Sequence, residues 1–597
     1  MDTQKNSIVL GLGKVLCLLI ISVLDWYMLD ISCNLEKEQY TINFNCILLN
    51  ISILMIVNCI IMIIATRLWI TIFISNVMCT IIGFTNFFVV QHHGTPFTIA
   101  ELRNMRTAFD VLGNYKLNFN GIPIKLLITC IMVILCSLFI RIIENKKGKI
   151  KINTALCASI LICGGYIFFC FYGESPIKPI KTIGWSWKEA YGRYGYVACF
   201  VEDIYSRNNI INKPQGYNYD TVQAVYSKYP KEMNYDENIT YPDIIFIVNE
   251  TLYDLKHLIN FETDVDYFKN IRDMDNLIYG YAVSPIPGGG TNSSEYELLT
   301  SNSLYLMNSG VTPFNVIDLR EATSVVSHLK SLGYETLATH TEAGSNYNRI
   351  TGYTDLGFDI IKFEQEYENM EGYYGRWYET DSSVYRNIEK WYNEMGEQPR
   401  FLYLLTIQNH GSWDLSDAEY DTVHITQSEF EATDTMNEYL TSISLSDEAF
   451  RELTEYFKGV NRPVIVCMVG DHCPSFAGDI AGYHMSEEEK ELKLRETPLF
   501  IWANYPLDSM NIGSIGMPFV VPTLLKTAEV PLSGYYKYLL DVSKEVPIIT
   551  VYGKYFDTEN NGFPINEGHY SELVSEYFEV EYSNLKGGKQ KDPEFFE

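Results

Sequence analysis

Along the first third of the chain, polar residues come in short groups between long apolar runs. Segments 8–29, 42–64, 68–90, 122–140 and 152–172 each approach the roughly 20 apolar residues that cross a bilayer as a helix. The pattern predicts about five spans in residues 1–172. Few charges fall inside them, chiefly Lys14 and Asp25, and both lie near enough to a span end to snorkel. An ion or proton pathway needs more, which argues against a transporter. Between the third and fourth spans, 97–112 has helical apolar spacing with Thr98 as a cap. It reads as a helix on the outer membrane surface or as an ordinary loop helix.

The rhythm then changes. Residues 173–240 are polar, rich in Tyr and broken by Pro176, Pro179 and Pro214, which predicts a stalk with one helix near 194–205. From 241 to 580, short β-rich apolar runs alternate with amphipathic stretches: "PDIIFIVNE", "YETLATH", "RFLYLLTIQNH", "RPVIVCMVGDH" and "TPLFIWANY". Runs of this length bounded by polar residues suit strands buried on both faces of a mostly parallel sheet. The fold class is α/β. Residues 581–597 read as a polar, disordered tail.

Charge is as uneven as hydropathy. Residues 1–172 carry 13 Lys or Arg against 8 Asp or Glu, a balance of +5, so the remainder carries −34 of the total −29. So acidic a surface repels polyanions and argues against a nucleic-acid partner, while it tolerates metal cations. Lys5, Arg67 and the basic group Arg141, Lys146, Lys147, Lys149 and Lys151 fall on one side of the spans. Lys37, Arg103, Arg106 and Lys116 fall on the other. The positive-inside rule leans toward a cytoplasmic N-terminus, and an odd span count then puts the large domain outside. The first span has no small-residue cleavage site directly after it, which weakens a signal-peptide reading. Of 13 cysteines only Cys199, Cys467 and Cys473 lie beyond the spans, so no disulfide framework is implied.

In α/β sheets ligands gather at the carboxyl ends of the strands. The first four runs end in Glu250, His340, His410 and the pair Asp471–His472. Carboxylates with an imidazole make a mixed site suited to Mn²⁺, Zn²⁺ or Mg²⁺. A nucleophile comes from "GGGTNSSEYELLT", which lacks the Lys of a P-loop. Its glycines let the backbone turn sharply before a helix, so Thr291 stands near a helix N-terminus that favours an anion. Thr291 as a plain N-cap, with Ser294 or Glu295 completing a capping arrangement, is equally open from the local sequence, and the two roles are compatible.

The ordered set of Glu250 after a strand, "GGGTNSSEYELLT", "HTEAGSNYNR", "TIQNHGSW" and "VGDH" resembles the alkaline-phosphatase/sulfatase superfamily, within it the membrane-bound lipoteichoic acid synthase-like branch of Gram-positive bacteria. The resemblance covers the span region and about 241–552. It implies a sulfatase-like extracellular domain on a multi-pass cell-membrane anchor, with Thr291 as nucleophile. It also implies one divalent cation, Mn²⁺ first and Mg²⁺ or Zn²⁺ as alternatives, held by Glu250, Thr291, Asp471 and His472. His410 and Arg349 would meet the substrate, with Arg349 gripping glycerophosphate. Where lipoteichoic acid synthases have Asp and Trp this chain has Glu342 and Tyr347, while His340 is kept, so the head group these residues meet is left open. No C-x-P-x-R signature occurs near Thr291, which argues against a formylglycine sulfatase. The implied activity moves glycerol phosphate from phosphatidylglycerol to a glycopolymer or glycolipid of the cell envelope, a step in cell-wall biogenesis. Phosphoethanolamine transfer, phosphodiester hydrolysis and a catalytically silent membrane-anchored binding module are the alternatives.

Overall fold

The computed structural model describes residues 2–33, 35, 42–93, 96–98, 121–145, 154–172, 187–230, 240–307, 311–372, 378–413, 421–428, 430–431, 433–481 and 485–596. Residues 1–210 with 345–348 form one compact unit, and 211–344 with 349–597 form a second. From residue 99 on, the helix expected at 97–112 lies outside the described residues, as do Lys37, Arg103, Arg106, Lys116 and the basic run from Lys146 to Lys151.

Five apolar helices open the first unit: α1 (Asp2–Ile31), α2 (Phe44–Ala65), α3 (Leu68–His93), α4 (Ile122–Asn145) and α5 (Thr154–Tyr172). Four are long and apolar enough to cross a membrane, while the apolar part of α5, Leu156–Phe168, is shorter. Their burial is the inverse of a soluble bundle. Leu12, Ile64, Phe139, Leu161 and Ile162 face outward, while Ser22, Asp25, Asn50, Asn58 and Asn76 are buried. In hydrocarbon an outward apolar side chain costs nothing, whereas a polar one needs a protein partner. Asp25 therefore does not snorkel, as its position near a span end suggested: it is 0% exposed and accepts a hydrogen bond from Ser75 Oγ at 2.5 Å.

Two further helices, α6 (Trp187–Tyr194) and α7 (Tyr196–Asn209), belong to the same unit. Tyr191, Tyr196, Ala198 and Cys199 share a core with Leu29, Leu49 and Cys79. Asn50 of α2 clamps the break between the two helices, donating to Tyr194 O at 2.6 Å and accepting from Ala198 N at 2.9 Å. This part of the expected stalk is thus packed structure, because its aromatic residues find apolar partners in the bundle.

The second unit is built on an eight-stranded sheet. Its strands are β1 (Asp243–Asn249), β2 (Leu277–Val283), β3 (Glu335–His340), β4 (Ile360–Lys362), β5 (Arg400–Leu405), β6 (Val464–Gly470), β7 (Glu496–Ala503) and β8 (Met510–Gly516). They lie in the order β8-β2-β7-β6-β1-β5-β3-β4. The run from β6 through β4 is parallel, while β7 is antiparallel to both neighbours. Every residue of β1, β5 and β6 is buried, because helices cover both faces. Four helices matter for the site: α8 (Thr291–Thr300), α9 (Arg349–Leu356), α10 (Asp381–Glu394) and α11 (Asp434–Lys458). On one face Tyr385 and Trp391 of α10 and Tyr439 and Phe450 of α11 pack with Ile245, Leu402 and Val466 of the sheet. All 13 cysteines are free.

Residues 581–596 are no disordered tail. Helix α12 (Ser571–Lys586) runs into them, and a last turn, Pro593–Phe596, buries Phe595 and Phe596. Phe595 meets the ring of Tyr226 at 4.6 Å and Phe596 that of Tyr535 at 5.1 Å. The polar stretch before them hid two aromatic anchors.

Glu297 of α8 and Glu581 of α12 are both buried without a basic partner among the described residues. Burial pushes the Glu297 carboxyl from its ordinary 4.5 up to about 8, against hydrogen bonds from the Leu304 backbone and the Ser303 side chain. A carboxyl with a raised folded-state pKa binds more protons folded than unfolded, so its contribution to stability falls as pH rises from 4.5 to about 8. Glu297→Gln keeps the acceptor oxygen and removes the ionisation. Thermal unfolding of the full chain in detergent is expected to be unchanged near pH 5 and shifted upward for the variant near pH 8, and equal midpoints at both pH values would contradict it.

Candidate metal centre and nucleophile

Parallel pairing of β1 with β6 puts Asn249 opposite Gly470, so Glu250 and Asp471 are the first residues past two adjacent strand ends. Gly470 has to be glycine: a Cβ there would lie 2.1 Å from the Leu252 carbonyl oxygen, where the turn after β1 folds over the end of β6. Ligand atoms of Glu250, Asp471 and His472 lie within 4.8 Å of one another, and the three residues are 2%, 0% and 6% exposed. His472 Nε2 is 3.2 Å from Asp471 Oδ2 and 3.5 Å from Glu250 Oε1.

These groups suit a divalent cation. His472 Nδ1–H donates to the Cys473 carbonyl at 3.0 Å, which leaves the Nε2 lone pair facing the two carboxylates. Asp471 Oδ1 is committed to the backbone N–H groups of Thr251 and His472, at 2.7 and 2.9 Å. Its Oδ2 is buried with no hydrogen-bond donor. Burial, then the adjacent Glu250 carboxylate, push the Asp471 carboxyl up to about 6. Burial alone would lower the His472 pKa, but Asp471 and Glu250 hold it above its ordinary value. Two crowded carboxylates with a free imidazole nitrogen are a donor set that a cation relieves.

Thr291 reaches this set from α8. Gly289 and Gly290 take φ of +68° and +86°, a left-handed turn that glycine makes freely. Gly290 is the N-cap and offers no side chain. Thr291 is the first helical residue instead, and its Oγ1 donates to Glu250 Oε2 at 3.2 Å. The capping arrangement open from the sequence does not form, because its members are used elsewhere. Ser294 Oγ donates to the Asp471 carbonyl at 2.7 Å, and Ser284 Oγ makes the same bond at 2.7 Å. The start of α8 is thereby bolted to the backbone of a metal-ligand candidate.

Glu295 is occupied by Arg349. The buried guanidinium donates from Nε to Glu295 Oε1 at 2.8 Å, with Nη2 also 2.8 Å from that oxygen, and Tyr353 Oη donates to Oε2 at 2.6 Å. Glu295 lies one helical turn beyond Thr291 on the same face of α8. The sequence offered no sign of this pairing, since Glu295 read as a capping residue. At the end of β3, His340 donates from Nδ1 to the Leu405 carbonyl at 3.0 Å. Burial, then the Arg349 charge, lower its pKa well below the ordinary value, so the ring is neutral with Nε2 as an acceptor. His410 is exposed, with Nδ1 3.0 Å from Tyr378 Oη and 2.6 Å from the Gly411 carbonyl. Glu342 is half-buried; burial, then Glu379 and Glu364, raise its pKa, while His410 and Arg349 act against them. His340, Glu342, Arg349 and His410 thus form one electrostatically linked group. Residues 345–348, Tyr347 among them, group with the first unit. Thr251, Ser284 and Tyr378 are site residues that carried no sequence signal, because single hydroxyl residues mark nothing until the fold aims them.

The Sulfatase family model matches residues 242–530. A putative cyclic beta-1,2-glucan modification protein of Rhizobium meliloti (strain 1021) is 26% identical over 361 residues, covering 58% of this chain and 55% of that protein. The chain thus spans about half the length of this curated relative. Among solved structures, the Streptococcus pyogenes phosphoglycerol transferase GacH in complex with sn-glycerol-1-phosphate is 21% identical, with a TM-score of 0.52 over 65% of this chain and 100% of that one. The lipoteichoic acid synthase LtaP from Listeria monocytogenes is 14% identical, with a TM-score of 0.42 over 62% and 97%. Residues 242–530 are a sulfatase-like α/β domain, and they follow four to five apolar helices.

Proposed function

We propose that this chain, a sulfatase-like domain on a membrane anchor, is a metal-dependent transferase that moves glycerol phosphate from phosphatidylglycerol to a glycopolymer or glycolipid hydroxyl at the outer membrane face. The observation that carries the reading is the Thr291 hydroxyl at a helix N-terminus, 3.2 Å from Glu250 Oε2 at the edge of the Glu250/Asp471/His472 set. Glu250, Asp471, His472 and Thr291 would hold one divalent cation, Mn²⁺ first. When bound it supplies positive charge that lowers the proton affinity of the Thr291 hydroxyl and offsets charge on the phosphoryl oxygens.

The chain's own groups divide the remaining work. Thr291 Oγ1 gives its proton to Glu250 Oε2, its hydrogen-bond acceptor, and forms a bond to phosphorus as the bond to the diacylglycerol oxygen breaks, and that oxygen leaves with a proton. His410, exposed at the end of β5, is placed to hand over that proton. In the second step the acceptor hydroxyl loses its proton to His410 and attacks phosphorus, and Thr291 leaves, taking its proton back from Glu250. Arg349, paired with Glu295, which Tyr353 also holds, directs its guanidinium charge to glycerophosphate oxygens. Neutral His340 accepts from a head-group hydroxyl.

A phosphoethanolamine group is the second reading. It is favoured by Glu342, whose carboxyl shares its surroundings with Glu379 and Glu364 and would meet an ammonium. Intact-protein mass spectrometry after exposure to each phospholipid without acceptor separates the two. A glycerophosphoryl adduct on Thr291 with phosphatidylglycerol alone is the expected result, and an adduct only with phosphatidylethanolamine, or none with either, would overturn the glycerol assignment.

A further inference from the structure

The two turns that carry Glu250 and His410 are joined by a buried polar network. Asn249 before Glu250, Gln408 and Asn409 before His410, Asp381 at the start of α10 and Ser446 of α11 are each at most 1% exposed. Asp381 Oδ2 accepts from Asn249 Nδ2 at 2.7 Å and from Ser446 Oγ at 2.6 Å. Asn409 Nδ2 donates to Asn249 Oδ1 at 2.8 Å and to Ser446 Oγ at 2.9 Å. Gln408 Nε2 donates to Ser446 Oγ at 3.0 Å and to the Ser442 carbonyl at 2.9 Å, while its Oε1 accepts from Asp381 N–H at 3.0 Å.

Donor and acceptor capacities fix how these groups are turned. Ser446 Oγ receives two amide protons, so its own proton goes to Asp381. Asn249 Oδ1 receives the Asn409 amide, so its Nδ2 faces the carboxylate. Both lines of donors end on one carboxylate oxygen, and without it Asn249 and Ser446 would each keep a buried proton with no acceptor. The same bonds brace the turns. Glu250 N–H donates to Thr406 Oγ1 at 3.3 Å, from the turn after β1 to the residue that follows β5. His410 N–H donates to the Ile407 carbonyl at 3.0 Å, closing the turn whose side chains Gln408 and Asn409 point into the network. Asp381 acts through these neighbours rather than on the substrate.

We propose that Asp381 is a positioning residue that holds the metal ligand Glu250 and the proton-transfer group His410 in one fixed relation, a role that rests on the divalent site and on the transferase reading.

Mn²⁺ binding to the full chain in detergent, followed by the paramagnetic resonance of free Mn²⁺, tests the first arm without turnover. Asp381→Ala is expected to weaken Mn²⁺ about tenfold, the scale seen when a partner behind a metal ligand is removed. At saturating Mn²⁺ its kcat with phosphatidylglycerol should stay about tenfold low. The donor KM should not change, since Arg349 and His340 are held by other partners. Asp381→Asn keeps the shape and one acceptor oxygen, so it should fold and fall between Asp381→Ala and wild type on both readouts. Asp243 is the control, a buried carboxylate that opens β1 and accepts from Arg400 N–H at the start of β5, at 2.9 Å. Asp243→Asn should lower the unfolding temperature and leave Mn²⁺ affinity as it was. Wild-type affinity and kcat in Asp381→Asn, or equal weakening of Mn²⁺ in Asp243→Asn, would overturn the positioning role while the metal site stands. No Mn²⁺ binding by the wild type would remove the metal reading and this role together.

Discussion

Thr291→Ala is expected to lower turnover of a labelled phospholipid donor by at least about 10⁴-fold, because no other hydroxyl can form the covalent intermediate from that position. The fold should tolerate the change. The Thr291 hydroxyl meets only the carboxylates of Glu250 and Asp471, and Glu250 Oε1 keeps its bond from Thr251 Oγ1 at 2.8 Å. Helix α8 does not need the threonine as a cap, since Gly290 holds that position. Stability should therefore stay close to wild type while activity vanishes. Thr291→Ser, which keeps the hydroxyl and loses only a methyl group, should recover a measurable part of the rate and form the same adduct. Retained turnover in Thr291→Ala would remove the nucleophile assignment and leave direct attack by the acceptor.

Chelation is the second change with a large expected effect. Stripping divalent ions should take activity to background, and Mn²⁺ should restore it. Asp471→Asn should prevent restoration at metal concentrations that saturate the wild type. The pH dependence has a definite sign. Ligation needs Asp471 as carboxylate and His472 as free base, whereas the metal-free site holds Asp471 near 6 and His472 above its ordinary pKa. The metal concentration for half-activity should therefore rise as pH falls from about 7 through 6. Full activity after chelation, or half-activity independent of pH, would contradict the Glu250/Asp471/His472 site.

How much of this was legible in the sequence depended on whether a residue's role was local. Runs such as "PDIIFIVNE" and "RPVIVCMVGDH" declare buried parallel strands through continuous apolarity, and the residues at their ends are functional candidates because the topology of such sheets fixes where ligands sit. The sheet edge was less readable: β2 and β8 carry glycines at Gly280 and Gly513 and mix polar with apolar positions, so no period marked them. Partnerships over long separations were hidden altogether. Glu295 with Arg349 spans 54 positions and Ser294 with Asp471 spans 177, and no local pattern encodes either. The bundle interior failed for a related reason. Asp25 looked close to a span end, but Ser75 on another helix settles where its carboxylate points.

The contact of Phe595 and Phe596 with Tyr226 bears on how the second unit acquires its structure. An element near its beginning is sealed by side chains near residue 596, so its closing contacts join positions some hundreds of residues apart in the chain. Loop-closure entropy must be overcome before those contacts return any energy, which predicts a slow, late-committing folding reaction rather than rapid local condensation. Meanwhile the apolar segments of β1, β5 and β6 stand exposed. The strong negative charge of residues 173–597 acts in that interval, keeping unfinished molecules apart by mutual repulsion.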